Sequence, residues 1–88
     1  MYEIEFKKQA LKQVQKISEN KKMMEKLQLI LDDIIADPYS TNFKFERLKH
    51  NLKGYCSKRL TKKDRVIYEV KDSIITVLVI SILGHYDE

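Results

Sequence analysis

Between Lys44 and Arg65 the chain carries nine Lys or Arg and two acids, Glu46 and Asp64, a net charge of +7. The remaining residues sum to −3, which gives the overall +4. Positive charge gathered in one segment predicts a polyanionic partner better than total charge does. A pI near 9.2 fits nucleic acid ahead of an anionic membrane surface or an acidic protein. Within the basic segment a single glutamate, Glu46, is the group with acid–base potential, although a carboxylate among cations is more often a surface ion pair. A second pair with chemical potential is His85-Tyr86, which follows the apolar run Ile74 to Leu83 just past Gly84. A buried strand would deliver these two side chains to a fixed place. Cys56, His50 and His85 are the soft metal ligands, and no ligand spacing relates them, so no metal site is expected. There is neither a Gly-rich phosphate loop nor a Ser/His/Asp arrangement.

The elements that must position these residues follow from periodicity. Eighty-eight residues make one domain, residues 1–88, with one modest core. Residues 2 to 6, YEIEF, alternate as a half-exposed strand does. Ala10, Val14 and Ile17 recur at helical spacing. Met23, Leu27, Ile30 and Ile34, joined by Met24, Leu31 and Ile35, form a wider apolar stripe on a second helix. Ser18 or Asn20 is the expected N-cap of that helix, and Asp37-Pro38 ends it. Four strands are expected after Pro38: KFERLK (44–49), GYCSKRL (54–60), DRVIYEV (64–70) and IITVLVISIL (74–83), with Lys71-Asp72-Ser73 turning the last hairpin. Tyr55, Ser57 and Arg59 share one face, and Arg65 can lie opposite them if the TKKD turn sets that register. The order β-α-α-β-β-β-β predicts an α+β domain, two helices on one face of a mostly antiparallel sheet, with the other face left for function. The single cysteine and the charged start MYEIEFKKQA point to the cytoplasm, and no apolar run is long enough to span a bilayer.

The segment LKHNLKGYCSKRLTKKDRVIYEV, preceded by Glu46 and followed at the C-terminal end by His85-Tyr86, resembles the YoeB/Txe group of the RelE superfamily of toxin–antitoxin toxins. The group's pattern reads E-x-L-K-x-x-L-x-G-x-x-S-R-R-I-x-x-x-x-R-x-V-Y, then a final H-Y. The resemblance implies a RelE-like fold with a curved sheet. It also implies a ribosome-dependent endoribonuclease, an mRNA interferase that cuts message in the A site without metal or other cofactor and so inhibits translation. The 2′-hydroxyl would attack the adjacent phosphate. On this resemblance Glu46 is the general base, His85 the general acid, Arg65 the phosphate clamp and Tyr86 the nucleotide-stacking aromatic, where stacking is worth about 1–3 kcal/mol. Residue type alone leaves base and acid exchangeable. Lys49, Arg59, Lys58 and His50 are the implied RNA contacts. The implied partners are a YefM-like antitoxin, the ribosome with its mRNA, and, as one assembly state, a second copy of the chain. No membrane is involved.

Three departures stand out. Asp87 and Glu88 follow the His-Tyr pair, Lys58 stands where the group has Arg, and Cys56 replaces a frequent aromatic. Two other readings use the same basic face: a ParE-like toxin directed at gyrase, and a non-catalytic RNA-binding module. Neither requires Glu46 together with His85.

Overall fold

The computed structural model describes residues 1–82 and 84. Strand β1 (Glu3–Phe6) leads into helices α1 (Lys8–Ile17) and α2 (Lys21–Ala36), and four further strands follow: β2 (Glu46–Arg47), β3 (Tyr55–Arg59), β4 (Arg65–Lys71) and β5 (Thr76–Ser81). They form one five-stranded sheet in the order β1-β5-β4-β3-β2. β1 runs parallel to β5, and the other three pairings are antiparallel. This is the α+β arrangement expected from the element order.

The helices form because their apolar residues recur on one stripe. Ala10 and Ile17 of α1, and Leu27, Ile30 and Ile34 of α2, are buried against Val66, Tyr68, Val77 and Val79 of the sheet. Each fully buried aliphatic side chain contributes about 1.5–3 kcal/mol. Of the two candidate caps it is Asn20 that starts α2, its Oδ1 accepting from the Met23 N–H at 3.0 Å. Ser18 instead donates to the Gln15 carbonyl of α1. Asp37 leaves the helix in an extended conformation (φ −161°, ψ 102°), as a residue before proline must.

Two elements differ from the sequence expectation. The strand expected over 44–49 is two residues long. Phe43 and Lys44 sit at φ 58° and 52°, outside the extended region, and a 3₁₀ turn over His50–Leu52 follows. The last hairpin closes through a 3₁₀ turn, Asp72–Ile74, with Ile75 left-handed at φ 50°, so β5 begins at Thr76 and not at Ile74. Asp72 braces this turn by accepting hydrogen bonds from the phenols of Tyr2 (2.6 Å) and Tyr39 (2.7 Å).

Candidate active site

The site is built by strand register. Glu46 of β2 is paired with Ser57 of β3, and Arg59 of β3 with Arg65 of β4. Side chains alternate across a strand, so Ser57 and Arg59 fall on one face and Lys58 on the other. The anticipated opposition of Arg65 to this set is therefore observed. Arg65 Nη1 donates to Glu46 Oε1 at 2.8 Å and approaches Ser57 Oγ at 3.4 Å. Two guanidiniums directly opposed on a sheet repel. One carboxylate offsets one of them. Arg59 forms no ion pair among the described residues, and its buried Nε finds no acceptor there. Among the described residues this leaves Arg59 without a carboxylate of its own, beside Glu46 on the sheet face away from the helices. That arrangement suits an anion such as a phosphodiester.

The Arg65 hydrogen bond holds the Glu46 carboxyl below its ordinary range. Partial burial opposes this, and the charges of Arg65, Arg59 and Lys49 reinforce it. Glu46 is therefore ionised at neutral pH, able to accept a proton and unable to donate one. Its side chain is 55% exposed and that of Arg65 20% exposed, so the pair is open to a substrate.

The β3–β4 turn fixes Arg65. Thr61 Oγ1 donates to Asp64 Oδ2 at 2.7 Å and accepts from the N–H groups of Lys63 and Asp64. The other Asp64 oxygen, Oδ1, accepts from the Gly84 N–H at 2.8 Å. One carboxylate thus ties the turn before Arg65 to the chain leaving β5. Gln13 of α1 adds a second tie, its Oε1 accepting from the Ile82 N–H at 2.7 Å. Sequence alone places Asp64 in the TKKD turn but gives neither Asp64 nor Gln13 a bracing role. The T-x-x-D spacing of Thr61 and Asp64 was the available signal, because a Thr hydroxyl reaches the backbone two and three residues on.

Lys49 and His50 are exposed at the end of β2, and His50 has φ 58°. Lys49 acts on Glu46 through its charge. The expected roles of His85 and Tyr86 lie outside the described residues. Lys58 corrects the expectation of an RNA contact. Its side chain is 0% exposed, paired with Asp33 at 3.2 Å on the helix side of the sheet, and it has no donor left for a phosphate. Among the described residues no group of three His, Cys, Asp or Glu side chains converges to hold a metal, and no helix is long and apolar enough to cross a membrane.

The chain matches the model of the YoeB-like toxin of bacterial type II toxin–antitoxin systems over residues 6–86. It is similar to the toxin YoeB of Synechocystis sp., 36% identical over 67 residues, 76% of each chain. Among solved structures it resembles a YoeB/ParE toxin from Agrobacterium tumefaciens, with a TM-score of 0.89 at 25% identity, covering 96% of this chain and 99% of that one. It also resembles a chain of the YoeB–YefM complex from Staphylococcus aureus, with a TM-score of 0.84 at 32% identity, covering 98% and 99%. The family model spans most of the chain and the sequence and fold similarities agree with it: the chain belongs to the family of YoeB-like toxins of bacterial type II toxin–antitoxin systems.

Proposed function

We propose that this chain is a ribosome-dependent mRNA endonuclease that cleaves by general acid–base attack of a ribose 2′-hydroxyl on the adjacent phosphate. The observation that carries the reading is the Glu46–Arg65 contact, on the sheet face away from the helices, beside an Arg59 that forms no ion pair among the described residues. Glu46, ionised, takes the 2′-hydroxyl proton. The O2′ atom bonds to phosphorus and the bond to the 5′-oxygen breaks, giving a 2′,3′-cyclic phosphate and a 5′-hydroxyl. Arg65 and Arg59 stabilise the charge gathered on the phosphorane oxygens. Arg65 directs Nη1 to Glu46 Oε1 and Ser57 Oγ, and among the described residues its remaining N–H donors are left for a phosphate. The depressed pKa of Glu46 supports it as the base and leaves the acid to His85, assigned from the family pattern, with Tyr86 as the stacking residue. The same proposal places the chain in the cytoplasm with the ribosome. It also assigns a YefM-like antitoxin as partner, supported by the Staphylococcus aureus complex, and a homodimer as an assembly state, supported by a solved YoeB dimer from that organism.

The test is primer extension on ribosomes programmed with a defined message, with Glu46→Ala/His85→Ala alongside. A cut in the A-site codon that disappears in the double variant is the expected result. Growth arrest without a cut would transfer the reading to a gyrase-directed toxin. No cut and no toxicity would leave an RNA-binding module.

A further inference from the structure

We propose that Lys58 is a positioning residue: its buried ammonium, clamped with Asp33, locks residues 40–45 and thereby sets where Glu46 stands. The lock is geometric, and only its catalytic consequence rests on the nuclease reading above. Three consecutive residues of β3 receive the chain that arrives from α2. Ser57 pairs with Glu46 itself. The Arg59 N–H donates to the Phe43 carbonyl at 2.7 Å. Between them, Lys58 Nζ reaches through to the other side of the sheet. It donates to the Ser40 carbonyl at 2.7 Å, the Asn42 carbonyl at 2.9 Å and Ser40 Oγ at 3.0 Å, and stands 3.2 Å from Asp33 Oδ2. The Phe45 ring covers it, with the centroid at 4.9 Å.

Asp33 holds the same segment from the helix. Its Oδ2 accepts from Ser40 Oγ at 2.6 Å and its Oδ1 from Asn42 Nδ2 at 2.8 Å. The segment needs such a grip. Phe43 and Lys44 are successive non-glycine residues at positive φ, a conformation that persists only where the surroundings over-determine it. Glu46 follows two residues later on an edge strand of only two residues, which cannot set its position alone.

Removing one partner of a buried ion pair strands the other, so the experiment uses Lys58→Met both alone and with Asp33→Asn, which leaves no uncompensated charge. The first readout is the ¹³C titration of the Glu46 side-chain carboxyl by NMR, in protein shown to be folded by its amide spectrum. The second is single-turnover cleavage on programmed ribosomes. The expected result in the double variant is a Glu46 pKa that rises toward its ordinary 4.5 as the contact with Arg65 loosens. The cleavage rate should fall by about 10- to 100-fold while KM stays within about twofold. A double variant that melts at a lower temperature but keeps the wild-type Glu46 titration and rate would overturn the proposal, leaving Lys58 a stabilising residue only. A wild-type protein that cuts no RNA would remove the nuclease reading, and the NMR titration would still decide the lock.

Discussion

Replacing Arg65 with Gln separates the two things its guanidinium does. In the free protein Nη1 binds Glu46 Oε1 at 2.8 Å; in the proposed reaction the same fork also faces the phosphate. Loss of one donor aimed at developing oxyanion charge costs about 10²–10³ in rate, or about 3–4 kcal/mol of barrier. The second effect is on Glu46. Its carboxyl is held low chiefly by the Arg65 hydrogen bond, so in the variant its pKa rises toward 4.5. A base works only when ionised, so the acid limb of the rate profile moves to higher pH. At pH 7 Glu46 is ionised in both proteins, and the shift removes no active base there. The stronger basicity of a released Glu46 acts the other way, by a factor of about a few, too little to mask the loss. The variant should fold, because it also relieves the repulsion of the opposed Arg59 and leaves a carboxylate that is more than half exposed. The assay is single-turnover cleavage on programmed ribosomes from about pH 4 to 8, with ribosome stability controlled at the acid end. A loss under tenfold at pH 7, or an acid limb that does not move, would refute the assignment of Arg65.

Four further outcomes are expected. Asn20→Ala should lower the stability of the protein by about 1 kcal/mol in chemical denaturation, since it removes the cap of α2. Tyr68→Phe deletes a buried hydroxyl that donates to the Pro38 carbonyl at 2.7 Å; the stranded acceptor should cost about 1–3 kcal/mol in the same assay. The phenol of Tyr39, held by its hydrogen bond to Asp72 and by burial, should ionise only at about pH 12, read as the tyrosinate absorbance that Tyr39→Phe removes. Burial works against the charge of Asp33, but the hydrogen bonds from Ser40, Asn42 and Lys58 outweigh it and hold the carboxyl below its ordinary 3.8. A depressed folded pKa gives stability that is present above 3.8 and lost as pH falls through the folded value. Melting temperature should therefore drop steeply below about pH 4 in the wild type and less steeply in Asp33→Asn/Lys58→Met.

Much of the fold was legible because periodicity and burial agree. The stripe of Leu27, Ile30 and Ile34 is the buried face of α2, and Asp37-Pro38 ends it where the pre-proline residue must leave the helix. The register of Arg59 against Arg65 was legible as a condition on one turn, and Thr61 and Asp64 meet that condition. What the pattern hid was the segment 39–45. Its conformation is set by contacts to residues far along the chain, and neither Phe43 nor Lys44 is of a type that advertises positive φ. Ile75 hid the last turn in the same way, since a β-branched residue seldom takes φ 50°.

The Lys58 error is more instructive, because the signal was present. Once Ser57 and Arg59 share the face away from the helices, alternation puts Lys58 on the face that meets them. A lysine there must be paired. The helix offered a partner in the same arithmetic: Asp33 lies three residues after Ile30 and one before Ile34, on the rim of the apolar stripe. A cation on the inward side of a strand and a carboxylate on the inward rim of a helix predict each other, because either alone would be a stranded charge. Weighing Lys58 by its charge put it with the RNA contacts; weighing it by its parity would have put it against Asp33. In a basic protein of this size, parity decides which cations can reach a phosphate.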